Sequence, residues 1–172
     1  MEKAENDLEM LDLVDDQNRV IGSISRKEAH EHPERAHRAV HVVIRNVRGE
    51  VLLQKRSLAK RIQPGKWDTS VGGHVPQGES YEQGAFREMT EELGIVLEGA
   101  SHLALSHAYI WRSAVETEHV QTYVLRHEGP FAFNKEEIDE VRFWSGAELK
   151  VAAGTGVLTP NLEEELRRIK LI

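Results

Sequence analysis

The sequence predicts an α/β or α+β sandwich of one domain, because strand patterns bracket a helical pattern in the middle of the chain and more helix follows at its end. Apolar and polar residues alternate over residues 39–54 around Gly49, which suits a tight turn and indicates a β-hairpin. Residues 80–94 carry an apolar row at helical spacing. The length of 172 residues is enough to bury a hydrophobic core in a single domain.

The strands before the central helix have separate signals in the sequence. Residues 11–26 read as two short strands around a polar turn at Gln17 and Asn18. The charged residues 27–35 are a short helix or a loop that Pro33 interrupts. Residues 67–74 read as one more strand, which ends in a pair of glycines.

The central helix and the elements after it are indicated by end signals and by periodicity. Ser80 is the candidate N-cap and Gly94 the candidate C-cap of the central helix. The apolar row between them contains Tyr81, Ala85, Met89 and Leu93. The later elements are a second hairpin over residues 102–126 with its bend near Ser113, a short strand over 140–144, and helices over 147–153 and 161–169.

The composition excludes several classes of protein. The net charge of −7 argues against broad binding of nucleic acids or anionic membranes, which needs an excess of Lys and Arg. No apolar run approaches the roughly 20 residues of a membrane span, and the acidic N-terminus shows no secretory signal. We therefore expect the cytoplasm as the default compartment. The absence of Cys removes disulfides, zinc ribbons and thiol nucleophiles.

Three glutamates on the central helix form the main candidate site. Glu88, Glu91 and Glu92 are related by steps of three and four residues, so their carboxylates converge on one face of the helix. Like charges this close repel unless a cation lies among them, and oxygen-only ligands suit Mg²⁺ or Mn²⁺. The alternative is a solvated acidic face in which Arg87 is an ordinary salt-bridge partner.

The spacing around these glutamates resembles a family motif. Residues 73–95 have the form G-x5-E-x7-R-E-hydrophobic-x-E-E-x-G-hydrophobic, which resembles the Nudix box at every fixed position. The resemblance implies an α/β/α sandwich with a mixed central β-sheet over residues 1–172. It also implies hydrolysis of a nucleoside diphosphate linked to another moiety, and a pair formed by Glu79 and Arg87 that braces the loop against the helix. The metal ligands that it implies are Gly73, through its carbonyl, with Glu88, Glu91 and Glu92.

A longer stretch, residues 26–92, resembles isopentenyl-diphosphate isomerase, a relative with the Nudix fold. RKEAH, LLQKRSLAK, PGKW and GGH carry this resemblance. The isomerases use a catalytic Cys immediately before the Gly-His pair, where this chain has Gly72. Because this chain has no Cys and keeps the complete Nudix box, the sequence favours hydrolysis over isomerisation. The resemblance implies a second site for Mn²⁺ or Zn²⁺ formed by His30, His37, His74, Glu116 and Glu118.

The resemblance also implies contacts to the substrate. Arg26, Arg56 and Lys60 match positions that hold the diphosphate in the isomerases, although basic residues in this region also suit a solvated loop. Glu137 and Glu140 are the candidates for a general base, and the catalytic residues are then Glu88, Glu91, Glu92 and Glu140. Five other histidines, including His41, are expected to be structural or solvated.

Two further functions stay open beside the hydrolase. One is an isomerase that acts through Glu116, and the other is a non-catalytic module that binds a nucleotide. RNA decapping would need a basic surface that the composition does not indicate. The expected partner is a small-molecule diphosphate, with no nucleic acid and no membrane, and homodimers are frequent in the family.

Overall fold

The computed structural model describes residues 6–98 and 102–172. This part of the chain forms nine strands and four helices. The strands are β1 (Met10–Val14), β2 (Val20–Ser25), β3 (Ala36–Arg45), β4 (Val51–Arg56), β5 (Trp67–Asp68), β6 (Val71–His74), β7 (Leu103–Arg112), β8 (Thr117–Arg126) and β9 (Ile138–Trp144). The helices are α1 (Arg26–Glu31), α2 (Tyr81–Leu93), α3 (Gly146–Ala152) and α4 (Pro160–Arg168).

The strand β3 lies at the centre of a mixed sheet. It pairs in parallel with β8 along its whole length, from Ala36 opposite Thr117 to Arg45 opposite Arg126. It pairs antiparallel with β6 and, at one residue pair, with β1. The strand β8 continues antiparallel to β7, as the second predicted hairpin requires. The prediction of an α/β sandwich with a mixed sheet is confirmed.

The first predicted hairpin, over residues 39–54, is paired only next to its turn. Arg45 lies opposite Val51, and beyond this pair the two strands separate. The hydroxyl of Ser70 is inserted between them: it accepts from the Ile44 amide at 2.9 Å and donates to the Leu52 carbonyl at 2.5 Å. The expectation of a regular hairpin is therefore wrong beyond the turn, because a buried serine replaces direct hydrogen bonds between the two strands.

The predicted strand over residues 67–74 is divided into two short strands that join different partners. Its first part, β5, pairs with β4, which also pairs with β9. Its second part, β6, pairs with β3. The chain therefore crosses from β4 to β3 within residues 69–70, and this crossing separates the two strands of the first hairpin.

Helices cover both faces of the sheet. The helix α2 buries Ala85, Met89 and Leu93 against Val40 and Val42 of β3. On the opposite face, α3 and α4 form a second cluster, with Leu149, Leu158, Leu162 and Leu166 among its members. Burial of this apolar area is the main source of stability for such layers.

The ends of the helices follow the signals in the sequence. Ser80 caps α2 by accepting from the Gln83 amide, and Gly94 ends the helix in the left-handed region at φ 66°. Ser25 caps α1 in the same way, which settles residues 26–31 as a helix. Among the residues that the structure describes, no helix is both long and apolar enough to span a bilayer.

Candidate active site

A cavity of about 780 Å³ opens where β3 and β4 separate. Gln54 of β4 and Gly72 of β6 border it from the two sides of the gap. Nearly all the candidate residues from the sequence line this one cavity. They are Arg26, His30, Arg56, Lys60, Gly73, His74, Glu88, Glu91, Glu92, Glu116, Glu118 and Glu137.

The carboxylates of α2 lie at one side of the cavity. Glu88 is buried, Glu92 is half-buried and Glu91 is exposed. Arg87 holds Glu88 at 2.6 Å and Glu79 at 3.1 Å, and it also donates to the His74 carbonyl at 3.1 Å. The loop before α2 is thereby tied to the helix by the Glu79–Arg87 pair that the family resemblance implies.

Gly73 is required by the position of Glu88. A Cβ atom at Gly73 would overlap the Glu88 carboxyl group and would lie only 2.8 Å from its Cγ atom. The glycine therefore gives Glu88 the space to lie directly against the backbone of β6. Carboxylate oxygens placed beside the backbone in this way are donors that fit Mg²⁺ or Mn²⁺.

The electrostatics of this group also favour a cation. Burial, together with the negative charge of Glu88, raises the pKa of Glu92 well above its usual value. Hydrogen bonds from Gln54 at 2.8 Å and from the Gly72 amide at 3.4 Å oppose this effect only in part. A divalent ion among the carboxylates would remove the repulsion and keep Glu92 ionised.

A second group of donor atoms lies beside the first. One ligand atom from each of His37, His74, Glu116 and Glu118 lies within 4.8 Å of the others. The Nε2 atom of His74 is 3.6 Å from Glu116 Oε2 and 3.4 Å from Glu118 Oε1. His30 joins this group through its Nε2 atom, which is 3.1 Å from Glu116. The five residues named from the isomerase resemblance are therefore brought together.

Strand pairing explains why these residues meet. In the register of β3 and β8, His37 lies opposite Glu118, and in the register of β3 and β6, Ala39 lies opposite His74. Side chains two residues apart on a strand share a face. His37, which is completely buried, has no hydrogen-bond partner for either ring nitrogen among the described residues. Its Nε2 atom lies 3.6 Å from both Glu116 and Glu118. A buried nitrogen without a hydrogen bond beside two carboxylates fits a metal such as Mn²⁺ or Zn²⁺.

The histidines and carboxylates of this second group shift the pKa values of one another. Burial lowers the pKa of His74, but its close contacts with the Glu116 and Glu118 carboxylates outweigh burial and raise the pKa to about 9. Burial would raise the pKa of Glu116, yet the hydrogen bond from His30 and the nearby rings of His37 and His74 bring it below its usual value. Metal binding at this group would therefore release protons.

The three basic residues line the cavity, and each has an acidic neighbour. Arg56 lies 3.2 Å from Asp68 and also donates to the Ile62 carbonyl at 3.0 Å. Lys60 lies 3.9 Å from Glu137. Arg26 lies 4.0 Å from Glu9, and its buried Nε atom has no hydrogen-bond partner in the described part of the chain.

The two candidates for a general base have different positions. Glu137 lines the cavity beside Lys60. Glu140 is exposed on β9 opposite Lys55 and is not among the residues that line the cavity. Its assignment as a catalytic residue stays a prediction, and the geometry favours Glu137.

Sequence reasoning missed two contributors to the cavity. Gln54 holds Glu92 at 2.8 Å, and the buried His41 forms an ion pair with Glu165 of α4 at 3.3 Å. His37 and His41 lie four residues apart on β3, so their side chains share a face. The sequence already contains this signal. Glu165 has no local signal, because it approaches the site only through the packing of α4 on the sheet.

Comparison with known proteins defines the family of the chain. The family model described as the NUDIX domain matches residues 35–162, which include every candidate ligand except His30. The chain belongs to the Nudix family. The resemblance predicted from the box over residues 73–95 is thereby confirmed.

Known Nudix proteins and isomerases are similar to the chain over most of its length. An uncharacterized Nudix hydrolase of Yersinia pestis is 38% identical over 134 residues, which are 78% of this chain and 71% of that protein. An isopentenyl-diphosphate Delta-isomerase of Streptomyces avermitilis is 34% identical over 143 residues, 81% of this chain and 73% of that protein. A crystal structure of a Deinococcus radiodurans protein has a TM-score of 0.76 and 30% identity, and covers 93% of this chain and 98% of that one.

These similarities indicate that the protein is an enzyme. Members of the Nudix hydrolase family generally cleave diphosphates with the help of divalent metals, and the protein is an enzyme of this family. The carboxylate and histidine groups of the cavity make metal binding plausible for this Nudix domain.

Proposed function

We propose that this enzyme hydrolyses the diphosphate bond of a nucleoside diphosphate linked to another moiety, by attack of water at phosphorus. The observation that carries the proposal is the contact of Glu88 with Gly73 at the edge of the cavity, beside the half-buried Glu92. Arg87 pairs with Glu88, yet burial and the charge of Glu88 still raise the pKa of Glu92. A divalent ion would relieve the repulsion that Arg87 leaves between the two carboxylates.

The first metal of this proposal is Mg²⁺ or Mn²⁺, held by Glu88, Glu91 and Glu92 with the carbonyl of Gly73. When bound, such an ion supplies charge neutralisation for the diphosphate oxygens and a lower pKa for a coordinated water. Arg87 holds Glu88 through an ion pair, and Gln54 holds Glu92 through a hydrogen bond.

The second metal of this proposal is Mn²⁺ or Zn²⁺. Its ligands are His37, His74, Glu116 and Glu118, with His30 at the rim of the group. Mixed imidazole and carboxylate donors suit these ions better than Mg²⁺. The conversion of paired imidazolium and carboxylate groups to a metal site predicts that binding tightens as the pH rises.

The substrate contacts of this proposal are cationic. Arg26, Arg56 and Lys60 line the cavity and balance the negative charge of a diphosphate. Glu137 is the preferred base for the attacking water, because it borders the cavity, and Glu140 is the second candidate.

The test is a panel of substrates with Mg²⁺ or Mn²⁺, read as release of phosphate or of a nucleoside monophosphate. It includes nucleotide sugars, dinucleotides, and nucleoside di- and triphosphates. We expect metal-dependent cleavage of at least one class, and loss of that activity in Glu91→Gln and in Glu92→Gln. Glu82→Gln is the matched control, because Glu82 is an exposed carboxylate of α2 outside the cavity lining. Full activity in both site variants would refute the proposal.

An isomerase is the second candidate, favoured by the 34% identity to the Streptomyces avermitilis protein and by Glu116, which lines the cavity. Against it stands Gly72, which offers no proton at the position of the isomerase cysteine. Incubation with isopentenyl diphosphate, followed by NMR detection of double-bond migration, separates the two functions. Failure of the whole hydrolysis panel with measurable binding of a nucleotide would instead favour a non-catalytic module.

The proposal also extends to partners and place. We expect a small-molecule substrate, no nucleic-acid or membrane partner, and a cytoplasmic enzyme, and we leave a monomer and a homodimer as alternatives. Light scattering after size-exclusion chromatography decides between them by comparing the mass of the assembly with the 19.5 kDa of one chain.

A further inference from the structure

A third polar cluster borders the cavity, apart from the two groups of metal ligands. Nδ1 of His41, on β3, lies 3.3 Å from Oε1 of Glu165, on α4. Thr122 of β8 donates its hydroxyl to the same carboxylate oxygen at 2.7 Å. Glu165 is completely buried, and His41 is 7% exposed. We call these three residues the His41 cluster.

Stability alone does not account for the His41 cluster. It lies on the face of the sheet where Leu162 and Leu166 of α4 pack into the core. Replacement of a buried ion pair by apolar residues of similar volume is often neutral or stabilising. One oxygen of Glu165 is also left without a hydrogen-bond partner among the described residues. Because burial of this ion pair costs free energy, we expect the pair to have a function at the neighbouring cavity.

The outer edge of the His41 ring faces that cavity. A Cβ atom at Gly72 would lie 3.2 Å from Cδ2 and 3.5 Å from Nε2 of His41, so this edge of the ring adjoins Gly72. Both residues line the cavity. Within residues 6–98 and 102–172, the only hydrogen bond of the ring is the one from Nδ1 to Glu165. The missing side chain at Gly72 therefore keeps Nε2 accessible.

The charge of the ring makes Nε2 a donor. Burial would lower the pKa of His41, but the Glu165 carboxylate outweighs burial and raises the pKa to about 9. An imidazolium carries hydrogen on both nitrogens. Arg56 and Lys60 have acidic neighbours within the cavity lining, Asp68 and Glu137. The counter-charge of His41 instead lies on the far side of its ring, which leaves its Nε2–H group for a ligand.

We propose that His41 binds an anionic phosphate oxygen of the diphosphate substrate through its Nε2–H group, and that Glu165 orients the ring. Charge-assisted hydrogen bonds to phosphate are among the stronger polar contacts in proteins. This inference rests on the proposed hydrolase function, because it assigns one more contact to the same cavity. His41 is then a substrate-binding residue, and Glu165 is a positioning residue.

The probe for this contact is methylenediphosphonate, a diphosphate analogue that is not hydrolysed, in the presence of Mg²⁺. Calorimetry measures its affinity for the wild-type protein and for His41→Gln, with His107→Gln as the control for a histidine outside the cavity lining. We expect His41→Gln to weaken binding about tenfold or more, as for loss of a hydrogen bond to a charged group. The His107 variant should bind like the wild type.

A double variant separates binding from folding. His41→Gln combined with Glu165→Gln removes the buried charge and leaves two amides that can pair with each other. We expect it to keep its fold, checked by thermal unfolding, and to bind the analogue as weakly as the single variant. In the wild-type protein, the ¹⁵N resonance of His41 Nε2 should move when the analogue is added.

Three results would overturn the inference. They are wild-type affinity in the double variant, a His41 resonance that does not move at saturation, and failure of the wild-type protein to bind the analogue. The hydrolase proposal is tested separately by the substrate panel and by Glu91→Gln. If hydrolysis depends on Glu91 but one of the three results is also found, the proposed function is retained and the role of His41 is rejected.

Discussion

The buried hydroxyl of Ser70 should contribute strongly to stability, because it replaces direct pairing between β3 and β4. Ser70→Ala removes the acceptor of the Ile44 amide and one donor of the Leu52 carbonyl. Ser70 is completely buried, so water cannot take its place without a change in the structure.

The expected cost follows from these two contacts. The Ile44 amide would be left unsatisfied, at about 1–3 kcal/mol, and the weaker loss at the Leu52 carbonyl adds about 0.5–1.5 kcal/mol. The free energy of unfolding should therefore fall by about 2–4 kcal/mol, a large fraction of the total for an ordinary domain. At about 2–4 °C per kcal/mol for a chain of this size, Tm should fall by about 5–15 °C.

Urea unfolding followed by circular dichroism measures this change, with Ser106→Ala as the control. Ser106 is exposed on β7, and its hydroxyl contacts only the neighbouring His107 among the described residues. A loss of less than 0.5 kcal/mol in Ser70→Ala, or an equal loss in the control, would refute the role assigned to this hydroxyl.

Three further predictions concern the cavity. The pKa of His41 is raised to about 9 in the folded state, so the protonated pair with Glu165 stabilises the fold fully below about pH 6.5. That part of the free energy of unfolding, up to about 3 kcal/mol, should disappear as the pH rises to 9. Chemical unfolding at several pH values should show a smaller loss over this range in the His41→Gln, Glu165→Gln double variant, and an equal loss would contradict the assignment. Gly73→Ala should reduce metal-dependent hydrolysis at least about 100-fold, because its Cβ displaces the Glu88 carboxylate. Gly146→Ala, which has open space around the new Cβ, should stay active, and equal rates in the two variants would be evidence against the role of Glu88 beside Gly73. His37→Gln should lower the number of Mn²⁺ ions bound, measured by equilibrium dialysis, from two to one, and an unchanged number would exclude the histidine site.

Local patterns predicted the helices well because their causes are local. The cap residues and the apolar row of α2 lie within fifteen residues of one another, and the helix begins and ends where Ser80 and Gly94 indicate. The three glutamates converge for the same reason, since helical spacing alone places them on one face.

Strand pairing was less accessible, because it depends on residues far apart in the chain. Alternation over residues 39–54 describes two strands correctly, but it carries no information on Ser70, which separates them. The pair of His41 and Glu165 joins residues 124 positions apart, and no short window of sequence contains both. The histidine group was predicted only through a family resemblance, because the sequence of neither β3 nor β8 specifies the parallel register between them.

The alternation of Gly73 and His74 on β6 couples the two proposed metal sites. Gly73 faces the carboxylates of α2, whereas His74 faces His37 and Glu118. A slip of β6 by one residue would exchange these faces and damage both sites at once. Insertions or deletions in this strand should therefore impair both proposed sites together, whereas substitution of a single side chain can change one of them alone. The exchange of glycine and cysteine at position 72 is a substitution of this kind, because it leaves the register of β6 unchanged.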